Sequence, residues 1–259
     1  MTSEIIYYSL VLAIINFPFV IGVDWYVRTQ SVKRVYQIEE PAEQRQREMK
    51  NSWTTTPVHA VLFFAFIASG CLKTGQESVQ LILATFLLTF LWTEIWHYFS
   101  HIAMHHKSLH FIHHEHHLSK LTAPWTSVSF SFLEKLIFSL GILGMLAIVS
   151  QLHELSAFGV FAYYLLYFFT NTLGHANFEF RKAGYYGSVM GKIFNSPTYH
   201  ALHHARYIKN YGLLTPWLDK LFDTEWKDID QVQVRAAQGE PLLRLGEKCM
   251  LNTVMSYKR

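Results

Sequence analysis

The chain contains five long apolar runs that lack Asp, Glu, Lys and Arg, and few folds can accommodate so many. The runs cover residues 5–23, 51–72, 78–93, 136–152 and 155–178. The third run continues past Glu94 to Phe99. A helix that crosses the hydrocarbon core of a bilayer needs about 17 to 25 such residues. We therefore expect an all-α integral membrane protein with four to five transmembrane helices.

The first run carries a proline, Pro18, well inside its apolar stretch. Proline has no backbone N–H, so it predicts a kink or an early end of this helix. No basic residue precedes Ile5 and no small-residue cleavage site follows the run. We interpret the run as a membrane anchor and not as a signal peptide.

The connections between the runs predict which polar segments share one side of the membrane. Residues 73–77 and 151–154 are too short to be anything but tight hairpins, and each returns the chain to the side it left. Residues 28–50, residues 97–135 and everything after His175 then lie together. That side holds nearly all the Lys and Arg residues. The positive-inside rule predicts that it is cytoplasmic, where these segments would form a helical dome.

Composition excludes several other classes of protein. The two cysteines, Cys71 and Cys249, form neither a disulfide framework nor a cysteine-based metal site. The formal charge of +3 is too small and too scattered to predict a nucleic-acid partner.

No internal repeat or low-complexity linker divides the chain, so we expect residues 1–259 to form one membrane-embedded domain. A bacterial inner membrane and the endoplasmic reticulum membrane both suit it.

Histidine is the most unusual component of the sequence, since nine of the 15 histidines lie within residues 97–117. Histidines three or four positions apart project from one side of a helix and can bind one metal. The pattern H-x-x-H-H occurs twice. The candidate ligands are His101, His105, His113, His116, His117, His175, His200, His203 and His204. Because one ion takes four to six ligands, nine imidazoles predict two neighbouring metals.

The other histidines have weaker patterns. We expect His59 and His153 to be surface or interfacial residues without a role, whereas His97 shares the helical side of His101 and stays ambiguous. Three more fall outside the repeated spacing and are expected to donate hydrogen bonds around the site or to lie in solvent: His106, His110 and His114. Glu94, at the membrane edge, is either a buried carboxylate that supports the site or an interfacial residue.

The ordered histidine motifs resemble those of the fatty acid hydroxylase and sterol desaturase superfamily. Its first two histidine boxes are matched by Glu94-Ile-Trp-His-Tyr-Phe-Ser-His101-Ile-Ala-Met-His105 and by His113-x-x-His116-His117. Its C-terminal signature is matched by Asn171-x-x-x-His175, His200-Ala-Leu-His203-His204, Asn210-Tyr211-Gly212 and Asp219-Lys-Leu-Phe-Asp-Thr224. The resemblance covers about residues 80–225, and the ordered set is far more specific than any one motif.

This resemblance implies an enzyme with a di-iron centre at the cytoplasmic surface, held by the nine candidate histidines. It implies that O2 and external electrons are used to hydroxylate or desaturate a lipid, such as a sterol or a fatty acyl chain, with a carotenoid or other terpenoid as the alternative. The chain has no dinucleotide, haem or iron–sulfur motif. We therefore expect electrons from NAD(P)H to arrive through a reductase and a cytochrome b5-like or ferredoxin-like partner, and the lipid to enter from the membrane.

Two other functions use histidines in a membrane. A zinc hydrolase would favour the motif H-E-x-x-H, but Leu118 stands where its second histidine would follow His114 and Glu115. A metal transporter would favour acidic and histidine side chains midway through the spanning helices, and the centres of the apolar runs hold none. Both alternatives therefore rest on the histidine pairs alone.

Overall fold

The computed structural model describes residues 2–249, and this part of the chain is helical, with no β-structure beyond isolated bridges. Its α-helices are α1 (Thr2–Ile14), α2 (Asn16–Thr29), α3 (Ala42–Thr55), α4 (Val58–Ala68), α5 (Val79–His105), α6 (His110–His117), α7 (Phe132–Ser150), α8 (Ala157–Gly174), α9 (Val189–Ile193), α10 (Pro197–Arg206), α11 (Trp217–Leu221) and α12 (Ile229–Gln238). Short 3-10 helices cover Pro124–Val128 and Tyr185–Gly187. The predicted all-α class is confirmed.

Within the described residues, three helical segments are long and apolar enough to cross a membrane. They are Ser3–Thr29, which joins α1 and α2, Val79–His105, which is α5, and Phe132–Ser150, which is α7. The expectation of four to five transmembrane helices is therefore corrected to three. The fifth apolar run forms α8, but ten of its 18 residues are buried among the other helices.

Pro57 explains why the second apolar run does not give a spanning helix. Helix α3 ends at Thr55, and α4 begins at Val58 with Pro57 at its N-cap. The 11 residues of α4 extend only about 16 Å, roughly half the thickness of the hydrocarbon core. The run therefore divides into the end of a polar helix and a short apolar helix.

The first run is interrupted near the predicted position. Helix α1 ends at Ile14 and α2 begins at Asn16, so the break lies one turn before Pro18. Proline at position 18 cannot donate the hydrogen bond that the carbonyl of Ile14 would accept in a continuous helix. The predicted early end of the first helix is thus confirmed, since Pro18 interrupts the helix between α1 and α2.

The apolar core is built around α8, whose tyrosines are buried. Tyr163 and Tyr164 are fully inaccessible and pack with residues of α4, α5 and α7. Gly159 allows α8 to approach α5 closely, because a Cβ atom at this position would lie 2.8 Å from the carbonyl oxygen of Ile82. Helix α8 therefore links the other apolar helices and carries their common core.

The two predicted hairpins meet at one end of these helices. The backbone N–H of Gly75 donates to the carbonyl of Leu155 at 3.0 Å, and the N–H of Leu155 donates to the carbonyl of Lys73 at 3.1 Å. From this end α5 runs 27 residues, about 40 Å, to His105. The histidine-rich segments consequently lie at the opposite end from the hairpins.

That opposite end is a helical dome made by α3, α6 and α9–α12. A second apolar cluster fills it and includes Val35, Tyr199 and Val232. The side chain of Asn177 accepts a hydrogen bond from the N–H of Tyr36 at 2.9 Å and donates to its carbonyl at 3.0 Å. This pair of bonds fastens the segment after α2 to the segment after α8, beside the histidines.

Cysteine labelling can test whether the hairpins and the dome face opposite sides of a membrane. Cys71 is exposed beside the first hairpin, and Gln238 is exposed at the end of α12 in the dome. We expect a membrane-impermeant maleimide to label Cys71 in sealed vesicles of one orientation, in a Cys249→Ser background. In the Cys71→Ser/Cys249→Ser background, Gln238→Cys should react only after the vesicles are opened. Labelling of both positions from the same side would contradict this arrangement.

Candidate metal centre

All nine histidines proposed as ligands converge around the C-terminal end of α5, at the opposite end of this helix from the hairpins. In the described residues they form two groups, and within each group one nitrogen per residue lies within 4.8 Å of the others. The five-histidine group comprises His101, His105, His113, His117 and His203. The four-histidine group comprises His116, His175, His200 and His204. Imidazole nitrogens bind transition metals at about 2.1 Å, so two nitrogens on opposite sides of one ion lie about 4 Å apart. The distances between nitrogens within each group, up to 4.8 Å, are close to this value.

Helical spacing brings these side chains together. Helix α5 contributes His101 and His105 in its last turn, and His175 is the C-cap residue of α8. Helices α6 and α10 carry the two H-x-x-H-H motifs, and each supplies residues to both groups. The groups are therefore adjacent, and the ring centroids of His117 and His204, which belong to different groups, are 4.6 Å apart.

Six of the nine imidazoles use Nδ1 for a hydrogen bond that points away from the centre. Nδ1–H can donate to a backbone carbonyl or a carboxylate, and each of these partners is acceptor-only. The pairs are His101 with Tyr211 O at 3.0 Å, His113 with Glu134 Oε1 at 2.7 Å, His116 with Ser129 O at 2.9 Å, His175 with Asn171 O at 2.8 Å, His203 with Lys209 O at 2.7 Å and His204 with Ser119 O at 2.8 Å. A proton on Nδ1 leaves Nε2 with a free lone pair, the form that binds metal.

The inward nitrogens lack adequate partners within the described part of the protein. Nε2 of His101, His113 and His175 is buried without any hydrogen bond. Nε2 of His203 faces Nε2 of His117 at 3.1 Å. Two nitrogens at right angles around an ion with bonds of about 2.1 Å would be about 3.0 Å apart. The donor set therefore fits bound metal ions, since unpaired buried polar atoms are costly.

Burial keeps these histidines in the neutral form that binds metals. It lowers the pKa of His175 to about 4, because the imidazolium would be poorly solvated. Burial, with repulsion from neighbouring imidazolium groups as a second cause, lowers the pKa of six others well below the usual value: His113, His116, His117, His200, His203 and His204. At neutral pH all these rings are therefore uncharged.

Glu134 is a buried residue of this centre that the sequence analysis did not identify. Its carboxylate accepts the hydrogen bond from His113, and its second oxygen has no partner in the described residues. Ser131 is the N-cap residue of α7. Its hydroxyl accepts a hydrogen bond from the N–H of Glu134 at 3.1 Å and donates one to the carbonyl of Ile112 at 2.6 Å. The helix-start pattern Ser-x-x-Glu, shortly after the second histidine motif, was the available signal.

The loop after α10 supplies two of the carbonyls, and Asp219 shapes it. This buried carboxylate accepts hydrogen bonds from the N–H groups of Tyr211 at 2.9 Å and Gly212 at 2.6 Å. A Cβ atom at Gly212 would lie 2.4 Å from the carbonyl oxygen of Thr215, so the turn needs glycine. These residues of the C-terminal signature therefore aim the carbonyl of Tyr211 at His101.

Left-handed backbone conformations shape the start of the same loop. Tyr207, Lys209 and Asn210 have φ angles of 70°, 66° and 53°, which are unfavourable for residues other than glycine. The side chain of Asn210 offsets this cost, because it donates to the carbonyl of Tyr199 at 3.0 Å and accepts from the N–H of Trp226 at 2.8 Å. The bent backbone turns the carbonyl of Lys209 towards His203.

Glu94 is buried and supports the site indirectly. Its carboxylate accepts hydrogen bonds from the N–H groups of Leu214 at 3.2 Å and Thr215 at 2.8 Å, and from the hydroxyl of Thr215 at 2.5 Å. It has no hydrogen bond to a histidine. Of the two predicted roles, the buried carboxylate fits, and its function is to tie α5 to the loop after α10.

The four remaining histidines near the centre lie outside both groups. His97 is partly buried, and its ring centroid is 4.8 Å from that of His101. His110 forms a hydrogen bond with the hydroxyl of Tyr207 at 2.7 Å, and His114 contacts His110 at 3.2 Å. His106 is exposed. The positions of His106, His110 and His114 fit the predicted hydrogen-bonding or solvated roles. His97, whose role the sequence left ambiguous, has a buried Nδ1 without a hydrogen-bond partner in the described residues.

The two distant histidines differ from each other. His153 is exposed at the second hairpin, as predicted. The prediction that His59 is a surface or interfacial residue is wrong, because it is fully buried. Its Nδ1 is 2.7 Å from the hydroxyl of Ser139, and its ring packs against Tyr164. The break at Pro57 places His59 in the apolar core.

Metal content can test the two groups separately. We expect the purified protein to hold about two equivalents of metal, and His200→Ala or His203→Ala to hold about one or fewer, because each removes a ligand from a different group. Elemental analysis of protein purified in detergent measures this. His153→Ala is the matched control and should keep the full content. Unchanged content in both ligand variants would show that the groups do not bind metal.

Glu134 should strengthen metal binding through His113. We expect Glu134→Gln to weaken binding by about 10-fold or more, since a carboxylate that accepts from a ligand histidine raises its basicity and fixes its orientation. Competition with a chelator of known affinity gives the change. Glu154→Gln, at the exposed hairpin, is the control. Equal affinities for both variants would refute a supporting role for Glu134.

Comparisons with curated proteins find similar plant proteins that are named very-long-chain aldehyde decarbonylases. The very-long-chain aldehyde decarbonylase GL1-4 of Oryza sativa subsp. indica is 31% identical over 144 residues, which are 54% of this chain and 23% of that protein. The decarbonylase GL1-6 of the same subspecies is 28% identical over 206 residues, 75% of this chain and 32% of that protein. CER1 of Arabidopsis thaliana, also named a very-long-chain aldehyde decarbonylase, is 31% identical over 134 residues, 50% of this chain and 21% of that protein.

The chain thus spans between about a fifth and a third of the length of these relatives. No solved structure gives a significant match. The model of the family described as fatty acid hydroxylase matches residues 86–224, more than half of the chain. This range contains all nine histidines of the two groups together with Asp219. The chain belongs to the fatty acid hydroxylase family.

Proposed function

We propose that this protein is a membrane-bound oxidoreductase that uses O2 and external electrons to hydroxylate or desaturate a lipid. The two histidine groups would each hold one iron ion. The observation that carries this proposal is the orientation of the imidazoles: six donate Nδ1–H outward and aim Nε2 into the two groups. Together with the nitrogens of the other three histidines, these Nε2 atoms form the two sets of nitrogens that could bind metal ions.

The identity of the metal is supported by the chemistry and the family together. Imidazole ligands suit zinc, copper and iron, so the donor set alone does not distinguish them. Iron bound here would supply the one-electron and O2 chemistry that attack on an unactivated C–H bond requires. Membership of the fatty acid hydroxylase family favours this chemistry over hydrolysis.

The residues around the centre are suited to holding an apolar substrate. A cavity borders both groups and is lined on its histidine side by His101, His113 and His175. Aromatic and aliphatic side chains form the other side: Phe130, Phe138, Tyr167 and Leu213. The cavity measures only about 30 Å³, so these walls would have to move apart to admit the end of a lipid chain. Because α5, α7 and α8 all border the cavity, a lipid could enter it from the membrane.

The electron donor would bind outside the membrane, on the dome. We place this side in the cytoplasm, where Lys and Arg are abundant, and expect a cytochrome b5-like or ferredoxin-like protein with its NAD(P)H-dependent reductase. Partial exposure of His105 supports this route, since the other eight histidines of the groups are buried. The five-histidine group therefore comes closest to the surface.

A second candidate reaction follows from the relatives named aldehyde decarbonylases. It would remove the carbonyl group of a long-chain aldehyde as carbon monoxide and leave a hydrocarbon that is one carbon shorter. The relatives favour an aldehyde, but this chain corresponds to only part of their length, so their whole activity is not assumed. Sterols, fatty acyl chains and terpenoids are the other candidate substrates, to be compared with a long-chain aldehyde.

Lipid analysis with and without the protein can identify the reaction. We expect O2-dependent products whose mass rises by about 16 Da for hydroxylation or falls by about 2 Da for desaturation. A hydrocarbon one carbon shorter than an added aldehyde would instead identify decarbonylation. Membranes that contain the protein, a reductase and a donor are incubated with NADPH and analysed by mass spectrometry.

The matched variants are His203→Ala, which should abolish the product, and His153→Ala, which should not. Turnover that persists without O2 or reductant would overturn the proposal and favour a zinc hydrolase. Metal flux across reconstituted vesicles, without any lipid product, would favour a transporter.

A further inference from the structure

Lys135 is a buried lysine beside the histidine groups, and neither the candidate metal centre nor the apolar core accounts for it. It lies in the first turn of α7 and is 5% exposed. Its Nζ atom is 4.9 Å from the ring centroid of Phe130, 5.7 Å from that of Tyr167 and 6.0 Å from that of Phe168. The ammonium group is thus surrounded by aromatic rings at the level of the cavity.

The ammonium group has no oxygen partner in the part of the chain that the structure describes. It forms no hydrogen bond there, and no carboxylate lies within 4.0 Å of it. The neighbouring Glu134 does not pair with it, because one oxygen of Glu134 accepts from His113 and the other has no partner. Contacts with aromatic rings compensate only part of the cost of removing an ammonium group from water.

The cavity shows where a partner could lie. Lys135 lines the same cavity as His113, His116 and His200, which belong to both histidine groups. The remainder of its wall is mostly apolar. A group that enters this space, which measures about 30 Å³, would therefore meet apolar walls, the Lys135 amine, the Glu134 carboxyl and the inward nitrogens at the same time.

We propose that Lys135 binds a carbonyl or carboxylate oxygen at the head of a long-chain substrate. The substrate class is then a fatty aldehyde, a fatty acid or a fatty ester, and not a pure hydrocarbon. The head of the chain would lie beside the histidines, and the apolar remainder would extend along the aromatic wall. This inference rests on the proposed function and specifies the substrate of the same site.

Equilibrium binding tests this assignment without turnover. The full-length, metal-loaded protein in lipid nanodiscs is kept free of O2 and reductant and is titrated with tritiated octadecanal, octadecanoate, methyl octadecanoate and octadecane. We expect the wild type to bind at least one oxygen-bearing ligand more tightly than octadecane. Lys135→Met should weaken that ligand about 10- to 100-fold, since a hydrogen bond to a charged group is lost, and leave octadecane unchanged.

Two further variants keep the result interpretable. Lys135→Arg preserves the charge and should retain much of the affinity, whereas Lys182→Met makes the same change at an exposed lysine and should have no effect. The ligand that loses most affinity in Lys135→Met shows whether the head group is an aldehyde, a carboxylate or an ester.

The proposal fails if Lys135→Met binds all four ligands as the wild type does. It also fails if octadecane loses as much affinity as the others, which would indicate a structural role in packing. A failure of the proposed function is seen separately, as absent metal or absent O2-dependent products, because binding is measured without reaction.

Discussion

A buried imidazole must satisfy two nitrogens, and the structure around the metal centre follows from this requirement. In six of the nine histidines, Nδ1–H donates to a carbonyl or carboxylate oxygen that lies further from the centre. The opposite nitrogen can then only accept, and it points to where an ion would sit. Without these outer acceptors the rings could rotate or take up the other tautomer, and the inward nitrogens would not form two groups.

The outer acceptors come mostly from segments that are not helical, so the fold must hold these segments in place. Buried carboxylates do much of this: Asp219 binds the turn at Gly212, and Glu94 binds the turn at Thr215. Helix α5 carries both Glu94 and His101. Helix α5 therefore provides two of the candidate ligands and also fixes the loop whose carbonyl orients one of them.

The sequence predicted which histidines converge better than it predicted the elements that carry them, and the reason is physical. Spacings of three and four place histidines on one side of a helix, so His200 and His203 could be identified from local geometry alone. Hydropathy counts apolar residues but does not show that Pro57 divides a run or that His59 is enclosed by other helices. The acceptor at Glu134 and the unpaired cation at Lys135 depend on contacts between distant segments. The family motifs located the histidines that converge, while the hydrogen bonds that orient their rings required the structure.

The two groups differ in ways that would affect the ions they hold. One has five nitrogens and reaches the surface through His105, whereas the other has four nitrogens that are all enclosed. Ligand number and access to solvent both influence the stability of an oxidation state. Ions at these two positions would consequently exchange with their surroundings at different rates and have different reduction potentials.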